Sequence, residues 1–238
     1  LEIGTLDIAS GITGERHLVR LAADAKIADR RAIVNGTGRA INAPDVAGGD
    51  RFAFKLNAVP DDNELDIALD LDAPANGLVA GLTGTGLPMT LKLNGQGDWQ
   101  RWNGTLKGES GDEMLADLTV IARNGTFKML GEARPGLFVS GPSRNMLEPV
   151  TKIDFTASGA DRAFDISGEI GSDNFKLAAN GLVDLGNNRM RDLAVEFRVL
   201  KPSVIAENLS GAGLTGTLLL NGNFSAPSMK YALNAAQI

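Results

Sequence analysis

Apolar and polar residues alternate strictly through RFAFKLNA (51 to 58) and again through ELDIALDL (64 to 71). A period of two is the mark of a half-buried β-strand and does not suit a helix. The apolar positions are Phe52, Phe54, Leu56 and Ala58 in the first stretch and Leu65, Ile67, Leu69 and Leu71 in the second. Folding the two on Pro60-Asp61-Asp62-Asn63 sets Ala58 opposite Leu65, Leu56 opposite Ile67, Phe54 opposite Leu69 and Phe52 opposite Leu71. One face of that hairpin is wholly apolar, and the other carries Lys55, Asn57, Asp66 and Asp70. Register is therefore strongly specified, because a slip of one residue would turn every side chain to the wrong face.

The same pattern recurs along the chain. Pairing Ala157 with Arg162 around Ser158-Gly159-Ala160-Asp161 places Phe155 opposite Phe164 and Ile153 opposite Ile166. A two-residue loop at Asn124-Gly125 places Ala122 opposite Phe127 and Val120 opposite Met129, and Asn-Gly suits a type I′ turn because both central residues need positive φ. Seven Asn-Gly pairs occur, at 35, 76, 94, 103, 124, 180 and 221, more than hairpin tips alone can use. No single register is legible around Gly186-Asn187-Asn188-Arg189. LKLNGQGDW (91 to 99) and LLLNGNF (218 to 224) echo one another without making a strict repeat. The stretch around the tryptophans reads as a strand over 89 to 97, a corner over Asp98 to Arg101 and a return strand from Trp102, with Trp99 and Trp102 packed over the sheet edge or the corner.

Helix signals are few. KPSVIAENLSG has Pro202 at a first helical position, apolar Val204, Ile205 and Leu209, and Gly211 as a stop; a further turn of helix is expected near ARPGLFVSGP. Glycine supplies 29 of 238 residues, against a usual share of about 7%, and no linker interrupts the pattern. The expectation is an all-β chain, a single continuous segment over 1 to 238, in which consecutive hairpins build one long antiparallel sheet with one or two short helices. Such a sheet must close on itself, stack on a second sheet, or keep its apolar face for something else. Strands at 52 to 58, 65 to 71, 89 to 93, 153 to 157, 164 to 170, 193 to 199 and 214 to 220 suit an open groove and a closed sandwich equally.

Several function classes lack their residues. Cysteine is absent, which removes disulfide scaffolds, thiolate metal sites and cysteine nucleophiles. The net charge of -6, with Lys and Arg scattered, offers no footprint for nucleic acid. The uncharged stretch 73 to 91 holds too much Gly, Thr and Pro for a membrane helix, so any anchor is expected outside this chain, which begins at Leu1 and reads as a piece of a longer protein. His17 is the only histidine; beside Glu15 and Arg16 it reads as an exposed or strand-edge residue and not as a catalytic base. GAGLTG (211 to 216) matches the dinucleotide-binding glycine pattern but lacks its setting: a helix signal precedes it, a strand follows, and no acidic residue lies downstream. DDNELD (61 to 66) has Ile67 where a calcium loop counted from Asp62 wants glycine, so it reads as a solvated turn. The sequons at Asn35, Asn103, Asn124, Asn208 and Asn223 read mainly as hairpin chemistry. No catalytic constellation, cofactor site or metal site is expected, and the chain is expected not to be an enzyme.

Residues 91 to 141, LKLNGQGDWQRWNGTLKGESGDEMLADLTVIARNGTFKMLGEARPGLFVSG, run from an alternating strand into Gly-Asp-Trp, then Trp-x-Gly, a Leu-Ala-Asp-Leu strand, an Asn-Gly turn and a further strand. This resembles the repeating region of alphaproteobacterial proteins of the translocation and assembly module subunit TamB family. Residues 178 to 235 are similar to it too, including the corner at Gly222, Phe224 and Pro227. The resemblance covers under half the chain. It implies an AsmA-like, bridge-like lipid transfer protein of the Gram-negative envelope, anchored in the inner membrane outside this segment. Its sheet would cross the periplasm as a taco-like open hydrophobic groove for phospholipid acyl chains, and regions outside this chain would partner a TamA-type outer-membrane barrel.

On that reading the groove is lined by Phe52, Phe54, Leu56, Leu65, Ile67, Leu69, Leu91, Leu93, Ile153, Phe155, Phe164, Ile166, Leu193, Val195, Phe197, Leu218 and Leu220. Two other classes suit the same residues: a structural or adhesin-like β-sandwich or solenoid with a closed core, and a carbohydrate-binding domain using Trp99 and Trp102.

Overall fold

The computed structural model describes residues 2–13, 16–29, 31–41, 49–98, 100–206, 208–209 and 213–235. The expected all-β architecture is present: fifteen strands form one open antiparallel sheet in strictly sequential order. They are β1 (Glu2–Ile8), β2 (His17–Ala28), β3 (Arg31–Ile41), β4 (Arg51–Val59), β5 (Glu64–Ala73), β6 (Met89–Gly97), β7 (Arg101–Ser110), β8 (Glu113–Arg123), β9 (Thr126–Ala133), β10 (Thr151–Ala160), β11 (Ala163–Gly171), β12 (Phe175–Asp184), β13 (Arg189–Val199), β14 (Leu214–Asn223) and β15 (Ala226–Ala235). The helices are short: α1 (Ser10–Thr13), α2 (Leu78–Thr83) and α3 (Pro142–Leu147). By packing, the chain divides into two compact units, Leu1–Thr119 and Val120–Ile238.

In the first unit, β4 and β5 pair in the register their alternation dictates. Phe52 faces Leu71, Phe54 faces Leu69, Leu56 faces Ile67 and Ala58 faces Leu65. The turn between them is a 3-10 turn over Pro60–Asp62, closed by Asn63 in the left-handed region at φ 54°. The polar face is laced with cross-strand ion pairs, among them Arg51 with Asp72 at 2.5 Å and Lys92 with Asp70 at 3.8 Å. Each joins residues that the register places directly opposite one another. Exposed pairs of this kind contribute roughly 0–1 kcal/mol each and set register more than stability.

The corner at 98 to 101 forms as expected, with β6 ending at Gly97 and β7 starting at Arg101. The Asp98 carboxylate accepts hydrogen bonds from the backbone N–H of Gln100 (2.7 Å) and of Arg101 (2.6 Å). Trp99 lies outside the described residues. Trp102 does not sit at the edge: its indole lies over Gly95 and Gly104, which face each other across β6 and β7 and would meet the ring with any Cβ. Those two glycines belong to Asn-Gly pairs, yet they sit inside strands. Of the seven pairs only Asn124-Gly125 is a hairpin tip, with φ 47° and 82°. Five others, at 35, 94, 103, 180 and 221, lie within β3, β6, β7, β12 and β14.

In the second unit, β10 and β11 depart from the expected register. Ala157 faces Ile166 in place of Arg162, Phe155 faces Gly168 in place of Phe164, and Ile153 faces Ile170 in place of Ile166. The cause is a two-residue turn at Asp161-Arg162, both at positive φ (51° and 66°), which lengthens both strands beyond Ser158. The displacement is four residues, an even number, so the apolar face is preserved. That no register is legible around Gly186 to Arg189 has an equally local reason. A four-residue turn spans 185 to 188, and the pairing then shifts between Asn180 and Leu182 and again between Met190 and Leu193. Asp192, at φ 47°, is the bulged residue, and its N–H donates to Asn221 Oδ1 at 2.8 Å.

Among the described residues of KPSVIAENLSG the expected helix is a 3-10 turn over Pro202–Val204, with Glu207, Ser210 and Gly211 lying outside them. The β-branched pair Val204-Ile205 favours no longer helix. ARPGLFVSGP gives a 3-10 turn over Pro135–Phe138 and leads into α3, each opened by its proline. GAGLTG leads into β14, whose first residue is Leu214; Gly211 and Ala212 lie outside the described residues.

Candidate functional site

Strand alternation puts the seventeen predicted groove residues on the apolar face of their strands, and each of them is half-buried. Phe52, Phe54 and Leu56 of β4 continue through Leu65, Ile67 and Leu69 of β5 to Leu91 and Leu93 of β6, the last two facing Leu71 and Leu69. In the second unit Ile153 and Phe155 of β10 sit beside Phe164 and Ile166 of β11, and Leu193, Val195 and Phe197 of β13 face Leu220, Leu218 and Gly216 of β14. A residue between the sheets of a closed sandwich packs against a second inner face. None of these seventeen reaches that degree of burial.

Among the described residues most of what is fully buried lies elsewhere, at one end of the strands; Val59, beside the turn at Pro60, and Leu118, in the middle of β8, are exceptions. In the first unit His17, Ala40, Ala73, Met89 and Ser110 are buried on the apolar face where β2, β3, β5, β6 and β7 meet the helix-bearing connections. His17, expected to be exposed or at a strand edge, is 1% exposed. It is the first residue of β2, opposite Ile8, at the strand end that bears α1 and α2. Asp50 ties α2 down there: its carboxylate accepts the N–H of Leu78 (2.6 Å) and of Val79 (2.8 Å), satisfying two donors that a helix start leaves open.

The second unit repeats the arrangement with different parts. Thr151 and Val199 are the fully buried strand-end residues. The neighbouring connections are stitched together by side chains: Thr151 Oγ1 donates to Leu147 O (2.9 Å), Asn145 Nδ2 to Val204 O (3.2 Å), and Asn174 Nδ2 to Asn145 O (2.8 Å). Away from that end the face opens. Phe127 is 45% exposed beside the tip of β9 and meets Phe164 edge to face, with ring centroids 6.1 Å apart. The two rings come from strands on either side of β10 and meet above the small residues Ala157 and Gly159 that face them.

Small residues under large rings are the local rule of this face. Phe52 faces Gly38, Phe155 faces Gly168 and Phe197 faces Gly216, and in each case the ring fills the space of the missing Cβ. This is the device by which aromatic side chains cover strand glycines. The sequence shows the aromatics, and Asn-Gly pairs in excess of hairpin tips, without saying which glycines seat a ring; the signal that separates the two uses is a glycine lying inside an otherwise alternating run.

A concavity of about 690 Å³ in the second unit is lined by Ile153 and Phe197 together with charged residues of the polar face. Its charges are segregated by rows: Lys176 faces Arg198, and Asp154 faces Glu169. Among the described residues no group of three or more His, Asp or Glu side chains is placed to hold a metal ion. Asp61 and Asp62 belong to the turn before β5, where Asp62 pairs with Arg31 at 3.0 Å. No described helix is long and apolar enough to cross a membrane. The chain matches no family model, no curated protein and no solved structure.

Proposed function

We propose that this chain is a lipid-conduit segment of a longer envelope protein, in which the apolar sheet face holds phospholipid acyl chains. The observation that carries the reading is the half-buried state of all seventeen residues from Phe52 to Leu220, an apolar face in each unit that no second layer among the described residues seals. Burial of hydrocarbon there contributes about 25 cal/mol per Å² of apolar area and has no directional component, so a chain can be held and still slide. No covalent chemistry is involved, and no cofactor is required. The resemblance of residues 91 to 141 and 178 to 235 to the TamB family supports a periplasmic setting. There the membrane anchor and the contact with an outer-membrane barrel would lie outside this chain, and assembly of outer-membrane proteins would accompany lipid transfer. The closed-core alternative would bury these same residues; of the two tryptophans of the carbohydrate reading, Trp99 lies outside the described residues and Trp102 is half-buried against Gly95 and Gly104.

The test is photo-crosslinking in cells from Phe54 and from Leu69, with native mass spectrometry of the purified chain. Phospholipid adducts at both positions are expected. Adducts to protein alone, with no lipid retained in the spectrum, would remove the proposal.

A further inference from the structure

We infer that in the first unit hydrocarbon chains load onto the apolar face over the rim of hairpin turns, and not over the rim that carries α1 and α2; the inference rests on the groove reading above. Along β2, residues of one face grade steadily from closed to open. His17 is 1% and Val19 8% exposed, Leu21 and Ala23 are half-buried, Ala25 is exposed, and Ile27 reaches 75%. A single strand thus records both rims: the face is closed at the end that bears α1 and α2, and at the other, beyond Ala22 where the described pairing with β1 stops, nothing among the described residues covers it.

The two rims differ in construction. At the sealed one, α2 is pinned by the Asp50 carboxylate, and Gly77 is packed so tightly on that carboxylate that a Cβ would lie 2.8 Å from Cγ. At the open one, Ile27, Ala32, Ala58 and Leu65 form a continuous apolar row across β2, β3, β4 and β5. Four of the residues around that row, Ile27, Ala32, Ala58 and Pro60, line a cup of about 280 Å³ together with Asp29 and Arg31. An apolar floor bounded by charge suits one chemical class, an amphiphile with a hydrocarbon chain. The chain meets Ile27 and the small residues behind it, while a polar headgroup stays with Asp29 and the exposed Arg31–Asp62 pair. An isoleucine this exposed beside a turn costs solubility and contributes little to the fold, which is understandable if hydrocarbon passes over it.

The cysteine-free sequence makes the test clean. Ile27→Cys and Leu82→Cys place single thiols at two well-exposed positions, one at each rim, and each thiol is coupled to a bulky maleimide. Uptake of a fluorescent phospholipid is then followed from vesicles of phosphatidylcholine and phosphatidylglycerol, with near-UV circular dichroism as the check on folding. Loss of uptake is expected for the label at 27, and uptake at the unlabelled rate for the label at 82. Equal effects, or loss only at 82, overturn the choice of rim while leaving the groove reading standing. If the unlabelled chain takes up no lipid, the groove reading fails and the inference with it. Cross-linking from position 27 to a second copy of the chain in place of lipid would show that this rim is a protein contact, which also overturns it.

Discussion

Phe52 lies directly across the sheet from Gly38, and its ring occupies the place of the missing side chain: a Cβ on Gly38 would lie 2.5 Å from Phe52 Cδ1 and 2.8 Å from a Leu21 methyl. Gly36, two residues back on the same face, has nothing nearer to such a Cβ than a carbonyl oxygen at 4.0 Å. The same substitution should therefore have opposite signs at the two positions. Gly38→Ala forces the ring off its seat and is expected to destabilise by about 1–3 kcal/mol, the usual range for overpacking. Gly36→Ala restricts the unfolded chain at no steric cost and should gain about 0.4–1 kcal/mol. Urea titrations of both variants decide the matter, and a loss of similar size at both would mean that the ring is not seated on Gly38.

That pair also marks where the sequence stops being legible. Alternation alone was enough to set β4 on β5 residue for residue, because an apolar face and a turn with a single natural register leave no second solution. For β10 and β11 the faces came out correctly and the register did not, since an even displacement preserves every face and only the turn at Asp161-Arg162 decides between the two. The distribution of glycines between turns and ring seats depends on which strand lies alongside. The buried strand ends were out of reach altogether: Asp50 caps a helix that begins 28 residues later, and nothing in the residues next to His17 marks it as 1% exposed.

Asp50 offers the sharpest probe of the sealed rim. Asp50→Ala leaves the N–H groups of Leu78 and Val79 without their carboxylate and should cost about 0.5–2 kcal/mol, as the loss of a helix cap does. Hydrogen exchange should reveal the loss first in α2 and at Ala73 and Met89. The middle of β4 should keep its protection, and its simultaneous loss there would show that the helical end and the open face are one cooperative unit.

Lys176 and Arg198 are direct cross-strand partners of like charge, whereas Arg51 and Asp72, at an equivalent place in the first unit, are opposite in sign. Lys176→Glu should accordingly stabilise the chain by about 0.2–1 kcal/mol, because the direct partner at about 5 Å outweighs diagonal neighbours at about 7–8 Å. The gain should shrink as salt is added. A loss of stability at low salt would contradict the assigned register of β12 and β13.

Asp184 predicts a pH effect of definite sign. The Asn187 side-chain amide and then its backbone N–H donate to the carboxylate, at 2.8 and 2.9 Å, and hold its pKa below the ordinary aspartate value. A pKa depressed by folding contributes stability that is present above the unfolded value and is lost as pH falls through the folded one. In an NMR titration Asp184 should be among the later aspartates to protonate on acidification. Asn187→Ala should return its midpoint towards the ordinary value, and an unchanged midpoint would place the cause elsewhere.

The difference between an open face and a closed core reduces to one comparison of charges. Leu56 is half-buried between Val34 and Ile67, while Ala73 on the same face, at the sealed end, is 1% exposed. An aspartate at position 56 can turn its carboxylate to water from an unsealed face and lose only part of the burial of one leucine, a cost of about 1–2 kcal/mol. An aspartate at position 73 has no such route and must carry an unpaired charge into a closed site, which is far more costly. Leu56→Asp is thus expected to fold, with near-native circular dichroism and a lowered midpoint of unfolding, and to lose phospholipid capture. Ala73→Asp should fail to fold. If Leu56→Asp also fails to fold, the face behaves as a sealed core, and the chain has no trough in which to hold lipid.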